Sequence, residues 1–413
     1  MANNIKYFIG NWKMFGVPNS INILKKYIKH TCTIVLAAIA LAPATAYPCE
    51  FDQVTFDNDF AGASSDKMIE SCQSNSQNKI EIVLKPENTP INNSPWYAFK
   101  LSSEEKKQVE VAIRVIDGDN RYPPKLSKDG QHWEGVEYVK DKEKLVFTVA
   151  LSKQPIFIAA QEIITNQDYN EWVNRLAESS NTTQSVIGES VQGRPINALE
   201  VRGNRQANEW LVILGRQHPP EITGALALFP FTENLLSDSS VAKSFRNRFN
   251  ILIVPNLNPD GVQMGHWRHN VNGVDLNRDW KKFAQPEVRA VHEHINKLVQ
   301  AGGKMAMAVD FHSTRRDIFY TMPNDFGMEQ RYLVNNWLKA VDKQYKNFSV
   351  IQKPGNNPGL GVFKQYFADH YKVHAITYEM GDNTDRAFIN DFAIDAANQL
   401  MKTMMMDNQE LQP

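Results

Sequence analysis

Trp210-Leu211-Val212-Ile213-Leu214 runs directly into Gly215-Arg216-Gln217-His218-Pro219-Pro220-Glu221, and from there into a longer periodic stretch over residues 221–236. Five consecutive apolar residues closed by a glycine read as a buried strand, and the longer stretch as a helix. The two prolines stiffen the junction, because proline interrupts strand pairing but is tolerated in the first turn of a helix. Further candidate strands follow at residues 250–254, 305–311 and 373–378, with candidate helices at 168–179, 286–300, 330–345 and 387–404. This alternation predicts an α/β domain with a mixed sheet between two helical layers. There is no internal repeat and no long low-complexity linker, so the regions on either side are expected to be closely joined.

Upstream, residues 79–84, 96–101, 109–116 and 144–151 are short β-rich runs punctuated by turn residues such as Pro123-Pro124 and Asp129-Gly130. They predict a small antiparallel β-sandwich. The expected division is a β-sandwich over residues 47–160, an α/β domain over 161–406 and a tail over 407–413. The 413 residues and an apolar content of 42% suit packed cores, and 45 basic against 46 acidic side chains give a net charge of -1. That balance gives no global pull toward nucleic acid or an anionic membrane surface.

The N-terminus predicts export. Lys25, Lys26 and Lys29 precede an apolar run over residues 31–41, which leads to Ala44-Thr45-Ala46. This is the layout of a secretory signal, with cleavage expected after Ala46 and a secreted or periplasmic destination. The run is shorter than the roughly 20 apolar residues of a membrane helix, so no stable anchor is expected after cleavage. The mature chain would keep Cys49 and Cys72, an even pair suited to one disulfide in an oxidising compartment, with two free thiols as the alternative.

Three distant segments place chemistry at strand ends, where open α/β sheets bind their ligands. His218 and Glu221 straddle the rigid Pro219-Pro220 turn, His312 follows the apolar run in Val309-Asp310-Phe311-His312, and Glu379 follows another in Ala375-Ile376-Thr377-Tyr378-Glu379. Two imidazoles and a carboxylate are the three protein ligands that catalytic Zn²⁺ takes while leaving a position open. A carboxylate at the rim of a partly desolvated cleft, such as Glu379, suits a general base. Each motif alone has an ordinary competing reading, a solvated pair, a core histidine or a strand-end glutamate facing water; together they favour a site. Between them, Arg268 and Arg278 lie in a turn-rich segment suited to holding carboxylates or an oxyanion.

The ordered series HPPE, NPDG, GHWR, GVDLNRDW, DFHST and TYEMGD resembles the zinc metallocarboxypeptidases of the funnelin type. It is nearest the cytosolic carboxypeptidase branch, in which a small β-sandwich precedes the catalytic domain; SPWYAFKL, KLSKDGQHWEGV and GESVQGRPI extend the likeness over most of the mature chain. The resemblance implies one Zn²⁺ held by His218, Glu221 and His312, and Glu379 activating the attacking water. It further implies that Arg268 polarises the scissile carbonyl and that Asn277 and Arg278 grip the free C-terminal carboxylate of a peptide. Lys364 falls where the family sets side-chain selectivity and would favour acidic C-terminal residues; a solvated lysine on a helix face is the competing reading. The family's mobile tyrosine has no clear counterpart, with Tyr366 and Tyr371 as candidates. A signal on a branch named for the cytosol points away from tubulin-type substrates toward peptides outside the cytoplasm, such as cell-wall peptides.

Residues 6–16 (KYFIGNWKMFG) resemble the first strand of triosephosphate isomerase, with Asn11 and Lys13 in the catalytic places. No other barrel strands follow, so no function is expected from residues 1–46, and a fusion or gene-boundary artefact would make Met14 the start of a signal of ordinary length. Two other readings of the site remain open at this level. One is a zinc amidohydrolase acting on N-acyl amino acids or peptidoglycan stem peptides; the other is a non-catalytic binding protein on a peptidase fold.

Overall fold

The computed structural model describes residue 49 and residues 51–411 apart from 77, 142, 180, 205, 408 and 409. The signal-peptide reading and the isomerase-like segment therefore lie outside the described residues. Residues Pro48–Pro413 form one compact unit.

Eight strands build the central sheet in the spatial order Thr182–Glu189, Pro195–Val201, Phe249–Val254, Glu209–Gly215, Lys304–Thr314, Ala375–Gly381, Ile318–Thr321 and Gln352–Pro354. Four inner strands, Phe249–Val254 to Ala375–Gly381, are parallel to one another; Pro195–Val201 and Ile318–Thr321 pair antiparallel to them on either side, and Gln352–Pro354 is parallel to Ile318–Thr321. Every residue of Phe249–Val254 is buried, as expected for a parallel strand covered on both faces. Side chains alternate between the two helical layers. Leu211 and Ile213 join the core under helices Ile222–Leu236, Leu333–Asp342 and Arg386–Met404, whereas Trp210, Val212 and Leu214 join the core under Pro286–Gln300 and Phe363–Tyr371. The mixed-sheet α/β/α expectation is borne out.

Strand limits differ from expectation in an informative way. The apolar runs end before His312 and Glu379, yet pairing continues through Thr314 and Gly381, with Cα partners His312↔Glu379 and Ser313↔Met380. Backbone hydrogen bonds are indifferent to side-chain polarity, so the ladder carries both polar residues out of the core on adjacent strands.

Residues 51–159 form two five-stranded sheets. One orders Thr55–Asp57, Ala98–Ser102, Ile156–Ala159, Lys125–Ser127 and Glu134–Gly135; the other orders Ile69–Ser76, Lys79–Leu84, Lys107–Val115, Lys144–Leu151 and Tyr138–Asp141. All pairings are antiparallel except the parallel pair Lys79–Leu84 with Lys107–Val115. Alternating residues of Lys107–Val115, Val109, Val111, Ile113 and Val115, fill the shared core, which Ile222 and Trp267 of the α/β region also enter. Cys49 and Cys72 are joined by a disulfide. Among the described residues no helix is long and apolar enough to cross a membrane.

Candidate metal centre

The turn after Glu209–Gly215 is held rather than floppy. Arg216 takes a positive φ of 52°, its Nε donates to the Pro219 carbonyl at 2.8 Å, and Asn258 Nδ2 donates to the Gln217 carbonyl. Glu221 is the residue that opens helix Ile222–Leu236, so its carboxylate sits at the positive end of the helix dipole. The helix then passes the end of strand Lys304–Thr314 at close range: a Cβ on Gly224 would lie 2.6 Å from the His312 carbonyl oxygen. The Gly224 N–H donates to Ser313 Oγ at 2.8 Å. A glycine contact and a hydroxyl thus fix the spacing between Glu221 and His312.

His218, Glu221 and His312 are buried, and one ligand atom from each lies within 4.8 Å of the others. Both imidazoles turn Nδ1 onto Glu221, at 2.8 Å for His218 and 2.7 Å for His312. Both turn Nε2 onto an aspartate: Asp275 Oδ1 at 2.9 Å behind His218, and Asp310 Oδ2 at 2.7 Å behind His312. A carboxylate behind each ring fixes its orientation and leaves Nδ1 for a metal. Four carboxylates, Glu221, Asp275, Asp310 and Glu379, crowd this volume, and one oxygen each of Asp310 and Glu379 is buried without a hydrogen-bond partner. Two imidazole nitrogens, one carboxylate and excess buried negative charge fit Zn²⁺.

The electrostatics follow from these contacts. Burial pushes the Glu221 and Asp275 carboxyls up, but the facing histidines, and Arg268 beside Asp275, outweigh it and hold both well below the usual carboxylate range. Glu379 lacks such close cations: burial, reinforced by the Glu221 carboxylate, pushes it up to about 8, while His312, Arg121 and Arg268 pull the other way.

A cavity of about 540 Å³ opens onto this cluster. Arg268 reaches it with Nε bonded to Asp275 Oδ2 at 2.8 Å and Nη1 4.0 Å from Glu221 Oε1. Asn277 also lines the cavity; its Oδ1 accepts the Phe363 N–H at 2.9 Å and its Nδ2 lies 3.4 Å from His312 Nε2. Arg278 is half-exposed on the wall, tied to its neighbour by Nη1 donating to the Asn277 carbonyl at 2.7 Å. Lys364 also lines the cavity but is buried, its ammonium donating to the carbonyls of Thr321 and Gly355 and lying 3.2 Å from Met322 Sδ.

Tyr366 and Tyr371 do not reach the cavity. The buried Tyr366 hydroxyl bonds Tyr371 at 2.9 Å and His292 at 2.9 Å, because its helix turns that face to the core. Tyr320, on the short strand paired with Ala375–Gly381, lies on the cavity wall instead. Asn92 and Arg121 also line it, from the β-rich region. Arg121 makes a bidentate contact with Asp382 at 2.7 and 2.8 Å and donates to the Ser313 carbonyl at 3.1 Å. Asp275, Asp310, Tyr320 and Arg121 were not legible as site residues in sequence, although Asp310 shares a strand face with His312 two residues on.

Comparison with known proteins gives a consistent outcome. Residues 169–410 match the zinc carboxypeptidase family. An uncharacterized protein from Zymomonas mobilis is 27% identical over 213 residues, 49% of this chain and 55% of that one. Cytosolic carboxypeptidase 2 of Danio rerio is 30% identical over 139 residues, 32% of this chain and 19% of that one. The chain thus spans about half, or much less, of the curated relatives it matches. A metallo-carboxypeptidase structure from Burkholderia cenocepacia superposes with a TM-score of 0.72 at 18% identity, over 85% of this chain and 98% of that one, which establishes the shared fold.

Proposed function

The chain belongs to the zinc carboxypeptidase family, and from that premise we propose that it removes the C-terminal residue of peptides, with Glu379 as general base and a preference for acidic terminal side chains. The observation that carries this reading is the convergence of His218, Glu221 and His312 within 4.8 Å beside Glu379, the strand partner of His312.

His218, Glu221 and His312 would hold a zinc ion, which would supply Lewis-acid polarisation of water and of the scissile carbonyl and, by its charge, would favour the ionised form of the Glu379 carboxyl. Glu379, with one unpartnered oxygen, accepts the proton of the attacking water and returns it to the leaving amine. Arg268 keeps its Nη groups toward the cavity because Nε is committed to Asp275, which places a donor where carbonyl charge develops. Asn277 and Arg278 receive the terminal carboxylate, and that grip restricts cleavage to one residue from the end. Lys364 sets selectivity: its hydrogen-bond partners are two carbonyls and a thioether, so its charge meets no carboxylate there.

Two further elements belong to this proposal. The division near residue 160 into an accessory β-rich domain and a catalytic domain is supported by the change from two small sheets to the helix-covered sheet. Export is supported by the charged, apolar and small-residue order of residues 25–46 and by the Cys49–Cys72 pairing. The test is mass spectrometry of a peptide library, with N-acyl amino acids alongside, incubated with zinc-loaded and chelated protein. Loss of single C-terminal residues only in the loaded sample is expected; turnover confined to acyl amino acids, or insensitive to chelation, would overturn the proposal.

A further inference from the structure

No helix or strand lies between Met264 and Leu276, yet this stretch carries Arg268. The side chain of Arg268 is fastened to Asp275, seven residues along the same loop, and Asp275 in turn meets His218 Nε2 at 2.9 Å, which anchors the far end of the loop. Asn270 and Asn272 tie the middle of the loop to Gln285 and Glu287, whereas the backbone at 267–269 is held from the β-rich region, outside the segment that matches the family. Glu87 follows strand Lys79–Leu84 and sends its carboxylate into three successive backbone N–H groups. Trp267 donates to Oε2 at 2.9 Å, and Arg268 and His269 donate to Oε1 at 2.9 and 2.8 Å. Beside it, Asn88 Oδ1 accepts from His269 Nδ1 at 2.9 Å and Asn88 Nδ2 donates to the Gly273 carbonyl at 3.3 Å.

We propose that Glu87 is a positioning residue for catalysis: its carboxylate holds the backbone of residues 267–269 so that Arg268 presents its guanidinium to the reacting carbonyl. The proposal rests on the carboxypeptidase reading above and gives the accessory sheets a role in the chemistry. Three N–H donors in a row form a concave anion site that a carboxylate satisfies with both oxygens. Glutamine offers one acceptor oxygen and an NH₂ that meets N–H groups head on, so at least one of the three donors, all on buried residues, loses its partner. Because Arg268 acts where charge develops, a loop displaced by about 1 Å lowers kcat by about 10- to 100-fold and leaves KM little changed.

The experiment compares wild type, Glu87→Gln, Glu87→Asp, Arg268→Ala and the Glu87→Gln/Arg268→Ala double variant, each full length and checked for zinc content. The readouts are kcat and KM on a peptide with a free C-terminus and amide hydrogen exchange over residues 266–275. Glu87→Gln is expected to lose kcat by the factor given, keep KM, and exchange faster at 267–269. Glu87→Asp, which keeps both oxygens, should recover part of the rate. On the Arg268→Ala background, Glu87→Gln should cost nothing further, since Glu87 acts through Arg268. A folded, zinc-loaded Glu87→Gln with wild-type kcat overturns the role, as does an equal loss on both backgrounds. A wild-type chain that turns over no peptide overturns instead the reading beneath it, and the catalytic role of Glu87 with it.

Discussion

Replacing Lys364 with methionine keeps the length of the side chain and removes the ammonium, so it isolates the charge. The Lys364 ammonium is buried against the carbonyls of Thr321 and Gly355 and the sulfur of Met322, all neutral, and burial alone lowers its pKa to about 8. A substrate carboxylate about 4 Å away, at an effective dielectric of about 20, gains about 4 kcal/mol of Coulomb energy. Part of that is offset by stripping water from the carboxylate, and charge-assisted hydrogen bonds retain about 1.5 to 3 kcal/mol net. Lys364→Met should therefore lower kcat/KM for a Glu-terminated peptide by about 10- to 150-fold, with little change for a Leu-terminated one. The sign of the pH effect follows: the lysine is charged below about 8 and neutral above it, so a Glu-over-Leu preference of wild type should be present at neutral pH and should fade as pH rises through that value. A bound carboxylate moves the midpoint upward. The assay is competition between the two peptides from pH 6 to 10. An unchanged Glu-to-Leu ratio in Lys364→Met, or a wild-type preference that grows above pH 8, would refute the reasoning.

Other residues give outcomes of different kinds. Glu379→Gln should retain zinc while kcat falls by about 10²- to 10⁴-fold; metal analysis beside a turnover assay checks both halves, and wild-type turnover removes Glu379 from the mechanism. Asp310→Asn and Asp275→Asn, which weaken the carboxylates behind the two imidazoles, should each lower zinc affinity by about 10- to 100-fold in a chelator competition. Gly224→Ala puts a methyl 2.6 Å from the His312 carbonyl oxygen, and the three nearest atoms are all backbone atoms of His312. It should cost about 1 to 3 kcal/mol in denaturant unfolding and weaken zinc binding too; a variant as stable as wild type would show that helix and strand can part without harm.

The candidate metal ligands were readable because each lies beside a feature with its own signal: a proline-stiffened turn for His218 and Glu221, and an apolar strand run for His312. What escaped depends on docking between segments far apart in sequence. Arg121 and Glu87 reach the site because two small sheets pack against it, and no local periodicity encodes which loop of those sheets will face which residue. Tyr320 sits on a four-residue strand, too short for alternation to show. Helix Phe363–Tyr371 carries Phe363, Tyr366 and Phe367 inward, which is why the tyrosine candidates there are core residues while Lys364 reaches the cavity. Strands Gln352–Pro354 and Thr182–Glu189 were missed for a different reason: they are edge strands with polar, weakly patterned sequences.

The claim on which the rest depends is that three residues from two strand ends and one helix start hold a single zinc ion. X-ray absorption at the zinc edge of the purified, metal-loaded protein, read with the metal content, tests it directly. One zinc per chain is expected, in a shell of two imidazoles and oxygen donors, with the imidazole signal reduced in His312→Ala. Sulfur in the shell, or a spectrum unaltered by that substitution, would contradict it.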